Sequence, residues 1–246
     1  MRCVRNLAFA VAVGLIAVSP QARAGDAPLK VVLVSGSGEY KSAESLPAFA
    51  KFLEERFNAR ATVLQAQGEK EIPGLEALDG CDVMLVFTRR IQLGGDQLER
   101  FRKYCLAGKP LVGVRTASHA IQTWLDLDKE VLGGNYHGHY GPGAKQTVAI
   151  NPKAKDHPVL KGVKGFESEY SLYKTSPIAA DATLLMTGST PKAAAPEPAA
   201  WVREYKGARI FYTSLGGPKD FDEPSFRQLL VNALFWTARR EVEAKP

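Results

Sequence analysis

The feature that most limits what this chain can become is the run Leu29-Lys30-Val31-Val32-Leu33-Val34, which is apolar at almost every position and stops at Ser35-Gly36-Ser37-Gly38. A strand with one wet face is apolar at every second residue, whereas a strand buried on both faces is apolar throughout, as in parallel sheets covered by helices. The pattern recurs at residues 83–87 and 110–114, and residues 61–65 form a further strand candidate. Between these runs Leu46, Phe49, Leu53 and Phe57, and then Leu98, Phe101 and Cys105, recur at helical spacing, the second set entered through Gly94-Gly95-Asp96. Such alternation predicts an α/β fold: a three-layer sandwich with a mostly parallel sheet and right-handed crossovers.

Beyond the fourth strand the pattern loosens. Glycine-rich and aromatic loops occupy residues 133–143, short strand-like runs follow at 146–150 and 183–186, and residues 190–200, with three prolines and five alanines, read as an exposed loop. Residues 208–213 predict a late strand, and Phe226, Leu229, Leu230, Ala233 and Leu234 a final amphipathic helix. With no internal repeat and no long linker, one domain over residues 25–246 is expected.

The first 24 residues stand apart. Arg2 and Arg5, an apolar run over 7–18, Pro20, and small residues at Ala22 and Ala24 predict a secretory signal peptide cut after Ala24. Twelve apolar residues fall short of the roughly 20 a spanning helix needs, so a periplasmic or secreted protein without stable membrane insertion is expected. Removing Arg2, Arg5 and Arg23 from a formal charge of +6 leaves 29 basic residues against 26 acidic ones, too even a balance to predict a nucleic-acid partner. Cys81 and Cys105 remain, and export permits a disulfide between them, against the alternative of two buried thiols.

In an open parallel sheet, ligands bind beyond the carboxyl ends of the strands. Those ends supply residues 35–42, Thr88-Arg89-Arg90, residues 115–119 and Ser214-Leu215-Gly216-Gly217. Gly36-Ser37-Gly38-Glu39 lacks the dinucleotide spacing and reads as a tight turn presenting Glu39 and Tyr40. Arg89 and Arg90 are either a clamp for an anionic group or one ion-paired and one solvated arginine. Arg115 takes the sharp point of a strand-to-helix turn, where a guanidinium cannot serve as a nucleophile. Ser118 and His119 are neighbours whose side chains are expected to point apart. His119, with His137 and His139 of Tyr136-His137-Gly138-His139-Tyr140, offers a divalent metal such as zinc a set of ligands, completed by Glu39 or Glu169. The alternatives are histidines that bind hydroxyls or simply support the loop. Tyr40, Tyr136, Tyr140 and Tyr173 interleave with these positions as a sugar-stacking rim would, while Trp124 reads as core.

Together, residues 35–42, Gly113-Val114-Arg115, residues 132–139, His157-Pro158, residues 171–174 and residues 209–216 resemble the ThuA-like, or trehalose utilisation, family of the class I glutamine amidotransferase-like superfamily. The resemblance implies a flavodoxin-like sheet and an exported protein binding, and converting, a sugar or keto-sugar derivative as a hydrolase or isomerase. In that reading Glu39, Arg115 and His119 are catalytic, Tyr40, Arg89, Tyr136, Tyr140 and Tyr173 bind substrate, and His137 and His139 hold the metal. Many family members have histidine where this chain has Arg115 and Gly217, and the amidotransferase cysteine and histidine are both missing. Glutamine hydrolysis is therefore not expected, and a non-catalytic carbohydrate-binding or accessory protein is the rival reading.

Overall fold

The computed structural model describes residues 27–141 and 145–245, so the expected signal peptide lies outside the described residues. The opening apolar run forms β1 (Leu29–Gly36), followed by α1 (Ser42–Arg56), β2 (Ala59–Gln65), β3 (Val83–Thr88), α2 (Gly95–Leu106) and β4 (Leu111–Val114). Then come β5 (Gln146–Ile150), β6 (Phe166–Ser168), β7 (Thr183–Ser189), β8 (Glu197–Tyr205), β9 (Ala208–Thr213) and α3 (Pro224–Thr237).

The unbroken apolar runs exist because the sheet has a core on each face. Leu29, Val31 and Leu33 of β1 and Val83, Leu85 and Phe87 of β3 face α1 and α3, where they meet Leu46, Phe49, Phe226 and Leu230. Val32, Val34, Met84 and Val86, the intervening residues, face α2 and pack with Phe101, Cys105, Leu127 and Val131. Alternate side chains leave opposite faces of a strand, so two dry faces demand apolar residues at nearly every position. Trp124 joins the second core, 5% exposed and edge-on to Phe101.

The expected mostly parallel sheet is corrected to a mixed one. Nine strands run in the order β2-β1-β3-β4-β9-β8-β7-β5-β6, and only β2, β1, β3, β4 and β9 pair in parallel. From β9 outward every pairing is antiparallel. The cause is connection length: β8 and β9 are joined by Lys206 and Gly207 alone, with φ of 48° and 81°. Two successive positive φ angles make the hairpin turn whose twist matches antiparallel strands, and two residues cannot make a parallel crossover. The loop expected over residues 190–200 is likewise corrected, since β8 starts at Glu197 and residues 197–202 are all buried.

Cys81 and Cys105 are both free, a correction to the disulfide considered above. Cys105 projects from α2 into the second core, whereas Cys81 lies near Leu78 O and Tyr104 Oη at 3.6 and 3.8 Å. No helix among the described residues is long and apolar enough to cross a membrane.

Candidate functional site

The carboxyl ends of β1, β3, β4 and β9 lie side by side. At the centre Arg115 follows β4 with φ of +45°, in the left-handed region that costs a non-glycine residue of order 1–3 kcal/mol. The turn can be this sharp because its surroundings hold it. Tyr212 Oη donates to Arg115 O at 2.7 Å, and Thr116 Oγ1 bonds Ser37 Oγ at 3.1 Å, tying the turn to β9 and to the end of β1.

The Arg115 side chain is fully buried. Its Nη1 donates to Ser214 O at 2.7 Å, its Nη2 reaches Ser171 O at 3.2 Å and Tyr40 Oη at 3.3 Å, and the guanidinium lies 4.3 Å from the Tyr40 ring and 4.6 Å from the Tyr173 ring. Tyr170 adds a third aromatic face at 5.8 Å. Arg115, Tyr40 and Tyr173 thus lie buried against one another, with Arg115 Nε left without a hydrogen-bond partner, while the Tyr173 ring also meets the Tyr136 ring, centroids 4.6 Å apart.

The open space lies beside that cluster. A cleft of about 440 Å³ is lined by Arg90, Ser118, His119, Gln122, Leu125, Asp126, Asp128, Lys129 and Tyr136. His119 forms one wall, stacked on Tyr136 with ring centroids 4.6 Å apart and planes 20° from parallel. Contrary to the expectation that Ser118 and His119 diverge, Ser118 Oγ sits 3.0 Å from His119 Nδ1. The two residues end a tight 3-10 turn rather than an extended segment, and Nδ1 is the ring nitrogen nearest the backbone, within reach of a neighbouring hydroxyl. Ser118 Oγ also lies 3.4 Å from Arg115 O. With its proton directed there, it accepts from His119 Nδ1–H and leaves Nε2 a lone pair. Burial, then the cations Arg90, Arg89 and Arg115, push the His119 pKa down to about 3, so the ring is neutral at ordinary pH.

The other expected site residues sit elsewhere. Glu39 Oε2 pairs with Arg89 Nε at 2.8 Å on the partly exposed surface, so Arg89 is the ion-paired arginine and Arg90 the exposed one. Tyr140 Oη donates to Glu197 Oε1 at 2.9 Å, anchoring the loop to β8 rather than joining the tyrosines around Arg115. His137 and His139 are exposed. His137 Nδ1 donates to Asn135 O at 2.7 Å, and His139 Nδ1 accepts from Gly141 N at 3.1 Å. Among the described residues no three histidine, cysteine or carboxylate side chains are grouped to hold a metal, so the donor set does not fit the divalent ion considered above.

Asp128 and Gln122 are cleft residues that the sequence does not single out. Asp128 sits in a π-helical turn (Leu127–Leu132) that reads as a charged, solvated run, yet it is 5% exposed. The available signal was Gly133-Gly134: an alanine Cβ at Gly134 would fall 2.2 Å from Asp128 Oδ1, so only glycine lets the backbone pass there. The position of Gly217 is explained the same way. Its φ of −67° suits any residue, but a Cβ there would lie 1.7 Å from Tyr170 Cδ2. The Tyr170 ring fills the space a side chain at 217 would need.

The ThuA family model, described as trehalose utilisation, matches residues 30–237. Among solved structures, a protein described as ThuA-like from Bacteroides uniformis is similar with a TM-score of 0.65 at 18% identity, the match covering 89% of this chain and 95% of that one. A second such protein, from Parabacteroides merdae, gives 0.65 at 19% identity, covering 89% and 93%. A β-galactosidase from Rahnella sp. R3 gives 0.54 at 16% identity, covering 87% of this chain but 31% of that one. At these identities the likeness is one of fold. Comparison with curated proteins gives no match.

Proposed function

Because the chain belongs to the ThuA, or trehalose utilisation, family, we propose that it is an exported protein that binds and converts a neutral sugar or keto-sugar derivative in the cleft beside the Arg115 turn. The family suggests a carbohydrate-related role; the observation that carries the finer reading is the His119–Tyr136 wall with Ser118 on His119 Nδ1. A flat ring pair suits the apolar C–H face of a sugar, and Gln122, Asp126 and Ser118 offer donors and acceptors to its hydroxyls. Arg90, Lys129, Asp126 and Asp128 mix side chains of both charge types in the lining, without the one-signed cluster that would select an ionised ligand. Of the two arginines weighed as an anion clamp, Arg89 is spent on Glu39 and only Arg90 reaches the cleft.

His119 is the catalytic candidate. With Nδ1 engaged by Ser118 and burial and the neighbouring cations keeping the ring neutral, its Nε2 lone pair accepts a hydrogen bond from the reacting hydroxyl and orients it. Arg115 is a positive charge behind this wall and touches no ligand. Isothermal titration of the mature chain with trehalose and with a keto-disaccharide tests the reading, alongside NMR time courses for turnover. Binding that Tyr136→Ala weakens at least tenfold, with turnover that His119→Gln abolishes, is expected; binding of neither sugar refutes the proposal.

The second reading, a non-catalytic sugar-binding protein, is favoured by one observation: the turn that holds a nucleophile in related folds here holds a sealed guanidinium. Tight binding with no turnover of either sugar leaves that reading standing.

A further inference from the structure

Asp128 carries more than a place in the lining. Its Oδ2 accepts the Tyr136 backbone N–H at 2.8 Å, and its own carbonyl accepts Gly134 N–H at 2.9 Å, so one residue grips both ends of the segment Gly134-Asn135-Tyr136. The other carboxyl oxygen, Oδ1, is buried with no hydrogen-bond partner and abuts the Gly134 backbone. A neutral carboxyl tolerates that surrounding, whereas a carboxylate oxygen sealed from both water and donors is costly. The charged and titratable groups facing it are Lys129 on its own turn, Tyr136 on the gripped loop, Tyr212 on β9, and Arg90, His119 and Asp126 around the cleft. None of them bonds Oδ1.

We propose that Asp128 is a positioning residue of the cleft: in its neutral form it pins the loop so that Tyr136 stacks on His119, and on losing its proton it releases the loop and dismantles that wall. This rests on the reading of the cleft as the ligand site, but the loop's behaviour is measurable without any ligand. Burial, opposed by the Tyr136 N–H and by Lys129, raises the Asp128 pKa to about 6. The sign follows from the proton being held more tightly in the pinned state than in the released one. Pinning is complete well below the pKa of a solvated aspartate and weakens as pH rises through about 6.

The test is an NMR titration of the 15N-labelled mature chain from pH 4.5 to pH 8, following the Tyr136 amide, with Asp128→Asn as the comparison. The asparagine is isosteric and can still accept from Tyr136 N–H, but it cannot ionise. The wild-type amide is expected to move with a midpoint near 6 and to lose hydrogen-exchange protection above it, while Asp128→Asn shows neither change. A flat wild-type profile overturns the proposal without recourse to the variant, and so does an unchanged midpoint in the variant. Trehalose titrations at pH 5 and pH 8 separate this from the functional reading. If trehalose binds, its affinity should fall by about tenfold or more toward pH 8 in the wild type alone, and an equal fall in Asp128→Asn overturns the coupling. If trehalose and the keto-disaccharide bind at neither pH while the amide still titrates, the sugar reading fails and the positioning role stands.

Discussion

Replacing Gly217 by alanine tests whether the absence of a side chain there is required by Tyr170. The backbone at 217 is in a conformation alanine prefers, so no strain penalty enters and a small gain of about 0.5 kcal/mol would follow if the space were free. It is not free: the new Cβ would lie 1.7, 2.0 and 2.2 Å from Cδ2, Cε2 and Cγ of Tyr170. The last of these is the root of the ring, so relief needs a change of rotamer rather than a swing of the tip. Such a change breaks the edge contact with Tyr40 at 6.1 Å and the ring's approach to Arg115 at 5.8 Å. Overpacking of this kind costs about 1–3 kcal/mol, and for a domain of this size each 1 kcal/mol lowers Tm by about 2–4 °C. Gly217→Ala should therefore lose several degrees in calorimetry and shift the urea midpoint down with its slope unchanged. Tyr170→Ala alone loses an aromatic contact worth about 0.5–1.5 kcal/mol together with its half-buried area. In the double variant the alanine at 217 should be neutral or better, giving a coupling of about 1–3 kcal/mol. A Gly217→Ala loss of the same size with and without the Tyr170 ring would refute the steric account.

Two further predictions concern buried groups. Glu197 accepts from Thr175 N, Ser176 N and Tyr140 Oη; burial pushes its pKa up, but these donors outweigh it and hold the carboxyl below its ordinary range. Its stabilisation is present above the unfolded pKa and lost as pH falls through the lower folded value, so Glu197→Gln should cost about 1–3 kcal/mol at pH 7 and flatten the acid limb of the urea-midpoint profile; an unchanged acid limb would sink this assignment. Cys81 and Cys105 should both be labelled by a thiol reagent when the protein is denatured without reductant, as peptide mapping would show, and finding both unlabelled would establish a disulfide.

How much was legible in the sequence depended on what each residue's neighbours are. β1, β3 and β9 could be read directly because two dry faces leave few polar positions to blur the pattern. β8 could not, because its Pro198-Ala199-Ala200 resembles a loop, and it is strand only because β9 and β7 flank it, a fact of topology rather than of local preference. The convergence of polar residues at the strand ends was foreseen, but not which would be sealed. Arg115, Tyr40 and Tyr173 were separately plausible ligand contacts, and their mutual burial follows from Ser171, Tyr173 and Ser214 arriving from distant parts of the chain. Ser118 and His119 were judged by the geometry of extended chain, and a 3-10 turn overrode it. Asp128 lay hidden in a charged run that only the close passage of Gly134 converts into a buried site.

The balance of charge around the cleft bears on how a solute arrives. With Arg90 and Lys129 set against Asp126, and Asp128 neutral while the wall is assembled, at most one charge is left uncompensated, so only a weak field extends outward to steer an encounter and the screening length of about 10 Å at 0.1 M salt has little to shorten. Capture rates would then be indifferent to ionic strength. A cleft of this kind would collect its ligand equally well in dilute water and in brine.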